Sequence, residues 1–386
     1  MGYNFFIYSA NFLPNIGGVE KFTDNLARQL IAMGHSATIV TNNVFNSLAH
    51  ETLESGAEIF RLPCRPFLNG RLPFPRHGQD FNDLIDRIYE KPVDYVVINT
   101  RFYPHTFIGA QHAATKGIKP IIIDHGSAYL TFGNKAIDLL VKGYEHMVTI
   151  ALKARYNSDF YGVSQASAAW LETFGIKASG VINNSIDADR YFNQASDRDF
   201  REQFSQSCFI VSFTGRLIPE KGISTLLDAA NRLSDDTTIK FLIAGDGPLM
   251  SELKKNNPGN IYLLGKLDSK DIAALLKQSD VFCLPTRSEG FSTSLLEAAA
   301  CYTTPIITNV GGVPEMIPSE KYGIILKSQS SEEVASAITM LKESPKRLNA
   351  MSKQIGERVR IFFSWQRTAD LLIAACKNAN PSKQQH

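Results

Sequence analysis

Several common signals are missing from this chain of 386 residues. Its five cysteines, Cys64, Cys208, Cys283, Cys301 and Cys376, form no CxxC pair and no cluster with histidine. Such a scattered, odd set gives neither a disulfide framework nor a zinc site, and reads as reduced, mostly buried thiols of a cytosolic protein. No apolar run is long enough to span a bilayer. The opening MGYNFFIYSA lacks the basic start of a signal peptide, its first lysine being Lys21. Phe6 stands where myristoylation needs Ser or Thr. Neither charge sign is in excess: the net charge is +2, and no nucleic-acid motif accompanies it, which removes the electrostatic case for DNA or RNA. There is no Walker loop and no GxGxxG fingerprint.

What is present is a globular composition, 44% hydrophobic and 20% charged. The length exceeds one ordinary core and points to two domains. Short apolar runs alternate with helical stripes: YNFFIYSA, then GVEKFTDNLARQLIAMG with Val19, Phe22, Leu26, Leu30 and Met33 at helical spacing, then SATIVTN, DYVVINT and PIIIDHG. A polar stretch follows at 189–206, and a second alternation starts at FIVSFTGR. Repeated βα units predict parallel sheets with helices on both faces. The expected class is α/β, with two doubly wound Rossmann-like domains facing an interdomain cleft. The expected bounds are 1–188, 189–364, and 365–386 as a helix crossing back to the first domain, with a tail. Ligands in such folds sit at the carboxyl ends of strands.

Four loops fall at such ends. In NIGGVE, Gly17 and Gly18 open a helix, where small residues let a ligand reach backbone N–H groups; a plain tight turn is the alternative. His125 follows the buried run IIID, either pointing into a cleft or hydrogen-bonded as a turn residue. In FTGRLIPEKG, Arg216 and Lys221 place two cations at a strand end, suited to a diphosphate; a surface pair of Lys221 with Glu220 is the alternative. In RSEGFSTSLLE, Glu289 precedes a helix that Ser292 or Thr293 can cap, and Glu297 lies just over one turn inside it. The two carboxylates can hold one extended ligand, or Glu289 can simply complement the helix dipole. A hydrolytic pair needs carboxyls about 5 Å apart, which loop-and-helix placement gives no reason to expect.

In order and spacing, GRLIPEKG, IAGDGP, LLGKL, EGFSTSLLE and GGVPE resemble the retaining GT-B glycosyltransferases of family four. FLPNIGGVEKFTDNLARQL resembles the family's start, NNSIDADRYF its interdomain segment, and FSWQRTADLLI its final helix, so the likeness covers nearly the whole chain. The resemblance implies a transferase acting on a nucleoside-diphosphate sugar, with UDP the favoured nucleotide, and on a glycan or lipid-linked acceptor in cell-surface polysaccharide synthesis. It assigns Arg216 and Lys221 to the donor diphosphate, Glu289 to the donor sugar and Glu297 to the ribose. Backbone groups at Phe291, Ser292 and Thr293 approach the sugar and phosphates, Gly17 and Gly18 form the Gly-Gly loop, and His125 matches the first-domain active-site histidine. Two positions depart from the pattern: Ser292 where Gly is frequent, and Tyr302 near a usual Gly in EAAACYTTP, which is one residue longer.

No cofactor and no metal is expected. The DAD at 187–189 mimics a metal-binding DxD but falls in the interdomain segment. A sugar-nucleotide 2-epimerase of the same architecture is the alternative function, and a scaffold with a decayed site a further one. Residues 61–77, RLPCRPFLNGRLPFPRH, interleave Arg61, Arg65, Arg71 and Arg76 with bulky apolar side chains and carry no acid. That pattern suits an anionic membrane surface, or a Pro-rich loop packed on its own domain. The expected location is the cytoplasm; on the membrane reading it is the inner face of the cytoplasmic membrane.

Overall fold

Alternating apolar runs and helical stripes become two parallel sheets in the computed structural model, which describes residues 2–15, 17–68, 70–129, 135–205 and 207–381. The chain divides into two units: unit 1 comprises 1–184 and 365–386, and unit 2 comprises 185–364. The helix Trp365–Ala379 thus belongs to unit 1, where it packs on the first helix, Gly18–Ala32.

Unit 1 contains β1 (Asn4–Ser9), β2 (Ser36–Asn42), β3 (His50–Thr52), β4 (Glu58–Leu62), β5 (Cys64–Phe67), β6 (Leu72–Pro75), β7 (Tyr95–Asn99), β8 (Ile121–Asp124), β9 (Asp159–Gly162) and β10 (Gly180–Val181). The main sheet runs β10-β9-β8-β7-β1-β2-β4-β3, and only β3 is antiparallel. Phe5, Phe6, Ile7 and Tyr8 of β1 are all buried, because helices cover both faces of a parallel sheet. This explains why the strand reads as a continuous apolar run. Ile7 sits in register with Ile39 on one side and Val97 on the other.

Unit 2 contains β11 (Phe209–Thr214), β12 (Ile239–Ala244), β13 (Ile261–Gly265), β14 (Val281–Leu284), β15 (Thr304–Thr308) and β16 (Ile324–Leu326), all parallel in the order β13-β12-β11-β14-β15-β16. The order reverses between β11 and β14. Loops leaving two such neighbours run apart to opposite faces and open a crevice at their carboxyl ends. In unit 1 the same reversal falls between β1 and β7.

Residues 61–77 do not form a simple loop. β5 and β6 pair as a separate antiparallel hairpin, and Arg61 does not join its exposed basic set. Arg61 ends up 4% exposed inside β4, paired with Glu51 at 2.5 Å and donating to the Leu48 carbonyl. A guanidinium buried there needs partners to offset its lost hydration, and these it finds within its own unit. Asn69 lies outside the described residues. No helix among the described residues is long and apolar enough to cross a membrane.

Candidate functional site

In unit 2 the site begins at the strand reversal. The loop after β11 carries Arg216 and Lys221; the loop after β14 carries Glu289. Backbone hydrogen bonds tie the two loops together: Arg287 N–H and the Thr286 hydroxyl both donate to the Glu220 carbonyl, at 2.8 and 3.0 Å. Gly222 makes the close approach possible. Its φ is +71°, and a Cβ there would stand 1.9 Å from the Pro285 carbonyl oxygen. Gly311, at φ +51°, plays the same part for the GGVPE loop, since its Cβ would meet the Glu289 carbonyl at 2.2 Å.

These contacts bring Lys221 Nζ to 2.5 Å from Glu289 Oε1, with side chains 24% and 11% exposed. Lys221 therefore pairs with Glu289 rather than with Glu220, the neighbour its sequence position suggests. Arg216 is exposed at the end of β11. Ser292 caps the helix Thr293–Ala300, its hydroxyl accepting from Leu295 N–H at 3.3 Å. That hydroxyl is engaged in the cap, and Thr293 is half-buried behind it. Phe291 is buried, its ring on Phe363 at 5.6 Å and against Gly312, so this stretch offers its backbone rather than its side chain. Glu297 lies further along the helix. Its charge adds to burial in raising the pKa of Tyr191, and likewise that of Cys301, which is pushed up to about 12.

Tyr302 takes φ +58° immediately after this helix. Thr303 N–H bonds to the Ala298 carbonyl and Tyr302 N–H to that of Ala299, the double closure that glycine usually completes at a helix end. A non-glycine residue there costs about 1–2 kcal/mol. Packing offsets it: the Tyr302 ring lies against Gly356, where a Cβ would come within 2.1 Å, and Arg360 stacks over it at 4.4 Å. Asp187 and Asp189 are used structurally. Asp187 caps the helix Ala188–Asn193, and Asp189 pairs with Arg360 at 2.7 Å.

In unit 1, His125 directly follows β8, half-buried, with its ring edge-on to Phe22 at 4.8 Å. A chain of hydrogen bonds fixes its tautomer. The Thr23 hydroxyl donates to the Val19 carbonyl at 2.8 Å, so it can only accept from Asn99 Nδ2, also at 2.8 Å. Asn99 Oδ1 then faces His125 Nε2 at 2.9 Å and must be the acceptor. His125 is neutral with its proton on Nε2, which leaves the Nδ1 lone pair to accept a hydroxyl proton. Desolvation lowers its pKa to about 3 and holds it in this form.

Beside it, Arg101, 1% exposed, bridges Asp124 and Glu145, the latter at 3.0 Å from the helix Lys135–Arg155. Asn99, Thr23 and Arg101 escape sequence reasoning. The trace of Asn99 and Arg101 is the polar run Asn99-Thr100-Arg101 that closes the apolar strand β7; Thr23, inside the first helix, leaves none.

Gly17 begins the helix Gly18–Ala32 without a side-chain cap. The mouth of that helix already holds a carboxylate. Glu20 folds back, accepts from Asn15 Nδ2 at 2.7 Å, and comes within 2.4 Å of where a Gly17 Cβ would be. The helix dipole favours an anion there, and burial raises the Glu20 pKa. A ligand reaching Gly17 and Gly18 meets Glu20 first.

Two family models match the chain: Glycosyltransferase Family 4 over residues 16–190 and Glycosyl transferases group 1 over 196–358. The chain is similar to the phosphatidylinositol N-acetylglucosaminyltransferase GPI3 subunit of Saccharomyces cerevisiae (24% identity, 83% of this chain, 71% of that protein). It is also similar to an Escherichia coli UDP-Gal:alpha-D-GlcNAc-diphosphoundecaprenol alpha-1,3-galactosyltransferase (26%, 70% of this chain, 72% of that protein). Its fold matches sucrose-phosphate synthase from Thermosynechococcus elongatus with a TM-score of 0.74 at 18% identity, over 98% of this chain and all of that one.

Proposed function

We propose that this chain, which belongs to the glycosyltransferases of family four and has the GT-B fold, moves a sugar from a UDP-sugar to a hydroxyl of a lipid-linked acceptor with retention of anomeric configuration. Cell-surface polysaccharide synthesis is the process it would serve. The observation that carries the reading is the meeting of Lys221 and Glu289 at the strand reversal of unit 2.

In this reading the leaving nucleoside diphosphate develops negative charge, and stabilising it is the main task. Arg216, Lys221 and the amides opening the helix Thr293–Ala300 supply that without a metal. Glu289 holds hydroxyls of the reacting sugar, and Glu297 the ribose. The acceptor hydroxyl attacks from the side of the leaving group and passes its proton to a phosphate oxygen, which gives an α-linked product from an α-linked donor. His125 accepts a sugar hydroxyl at Nδ1 and orients the ring as positive charge grows. The UDP preference draws on the donor in the name of the E. coli relative, and the lipid acceptor on both relatives' names. Membrane contact is assigned to the hairpin β5–β6, with Arg65, Arg71 and Arg76, at the inner face of the cytoplasmic membrane.

A thermal-shift panel of UDP, GDP and ADP sugars tests the donor, since a ligand that binds only the native state raises Tm. Product analysis with and without a lipid-phosphate acceptor tests the reaction. Transfer should need the acceptor, retain configuration and survive EDTA. Conversion of the sugar nucleotide without any acceptor would establish an epimerase instead. Loss in EDTA with rescue by Mg²⁺ would overturn the metal-free mechanism.

A further inference from the structure

One groove of unit 1 has no part in the chemistry above. It measures about 550 Å³ and is lined by Phe81, Ile85, Phe107, Ile108, Tyr144 and Val148 among others. This is the size of a small-molecule site, roughly 300–1,000 Å³. A second groove of about 610 Å³ runs on over the hairpin β5–β6, and Phe74, Pro75 and His77 line both. The continuous trough is apolar at one end and bears Arg65 and Arg76 at the other. Arg76 shares its charge with Asp80 at 2.9 Å, where both side chains are well exposed, and an exposed pair of that kind is weak.

One further observation bears on the occupant. The helix Lys135–Arg155, which gives Tyr144 and Val148 to the groove, turns Leu139, Leu140, Met147 and Ile150 outward, each at least 63% exposed. Its Lys135 and Lys142 flank that stripe. An apolar stripe with cationic flanks lies down on an anionic bilayer. The groove is thus entered beside a surface made for lipid, with cations at one end for a charged head and hydrocarbon walls at the other.

We propose that this groove holds the hydrocarbon chain of a lipid phosphate, whose anionic head lies at Arg65 and Arg76. The inference rests on the proposed function only in calling that lipid the acceptor; binding itself requires no donor.

Titration calorimetry of the full chain with farnesyl phosphate, farnesol and inorganic phosphate tests it, without sugar nucleotide and at monomeric lipid concentrations. Farnesyl phosphate should bind, farnesol about tenfold more weakly, and inorganic phosphate not detectably. Ile85→Trp, which fills the groove, should lower farnesyl phosphate affinity at least about tenfold, while UDP binding and Tm stay unchanged. Ile108→Glu should lower that affinity likewise with UDP binding intact, and stands in if the tryptophan variant misfolds. Arg65→Ala should weaken farnesyl phosphate alone. No binding to the wild type, or binding indifferent to both groove variants, overturns the proposal. Equal affinity for farnesol and farnesyl phosphate overturns the placement of the head. Transfer confined to water-soluble acceptors, with farnesyl phosphate binding intact, would instead sink the lipid-acceptor reading and leave the groove standing.

Discussion

Mild acid should destabilise unit 1 well before carboxylates titrate, because three of its histidines are held neutral. Burial lowers the pKa of His105 and His112 to about 4 and that of His125 to about 3. His105 donates from Nε2 to the Val40 carbonyl at 2.9 Å, and its Nδ1 is buried without a partner. His112 meets the Tyr8 hydroxyl through Nδ1 at 2.8 Å, and its Nε2 is likewise unpartnered. A second proton on His105 would sit at Nδ1, where nothing accepts it.

In the unfolded chain each imidazole titrates near 6.5. The native values are lower, so the stabilising difference is complete above about pH 6.5 and is lost as pH falls toward 4, where the unfolded state takes up protons and the native state does not. At pH 5.5 the loss is about 1.4 kcal/mol per histidine. Allowing for the partial solvent access of His125, the three together lose about 3–4 kcal/mol between pH 7.5 and 5.5, against a usual total of about 5–15 kcal/mol. Both tryptophans, Trp170 and Trp365, lie in unit 1, so intrinsic fluorescence reports on that unit. Urea titrations at the two pH values should show the loss, and His105→Gln should remove about a third of it. Glu20, with its pKa raised by burial, works in the opposite direction, so the variant rather than the absolute slope carries the test. If His105→Gln kept the full acid sensitivity, or if the wild type lost less than about 1 kcal/mol, the assignment of neutral buried histidines would be wrong.

Thr23→Val removes the acceptor that orients Asn99; kcat should drop several-fold with donor KM little changed, and ¹⁵N imidazole shifts should show His125 losing its single Nε2–H form. An unchanged tautomer would refute the chain of donors. Glu297→Gln should weaken binding of bare UDP, whereas Glu289→Gln, by releasing Lys221, should tighten it while lowering kcat; calorimetry beside steady-state kinetics separates them, and parallel weakening would contradict the division of labour. Gly356→Ala should destabilise unit 2 by about 1–3 kcal/mol through collision with Tyr302, and the same change on a Tyr302→Gly background should be tolerated. Equal cost in both backgrounds, read from urea melts, would mean that the ring contact is not the cause.

The parallel strands were readable because a strand buried on both faces must be apolar throughout, as Phe5–Tyr8, Val96–Ile98 and Ile121–Ile123 are. Arg216, Lys221, Glu289 and His125 were legible as residues at strand ends. Their partners were not. Lys221 reaches Glu289 across 68 positions of sequence, and only the strand order brings those loops together. The hairpin β5–β6 was hidden by its prolines, which weaken a strand pattern. Arg61 looked like one more surface cation because burial of a charge is decided by a distant acid, here Glu51, and leaves no local periodicity. The buried Arg101 was missed for the same reason. The outward apolar stripe of the helix Lys135–Arg155 inverts the usual pattern, so its spacing suggests a core face where solvent actually lies.

The ion pair of Lys221 and Glu289 makes the donor site its own competitor. Each group is already satisfied at high effective concentration by the other. Under the proposed roles, a complete sugar nucleotide replaces both halves at once: phosphate takes the ammonium, and sugar hydroxyls take the carboxylate. A nucleotide that has lost its sugar replaces only one half and strands Glu289 beside a phosphate. Re-forming the pair then works against keeping the spent carrier. The same contact that favours loaded over empty nucleotide on entry thereby hastens departure after transfer.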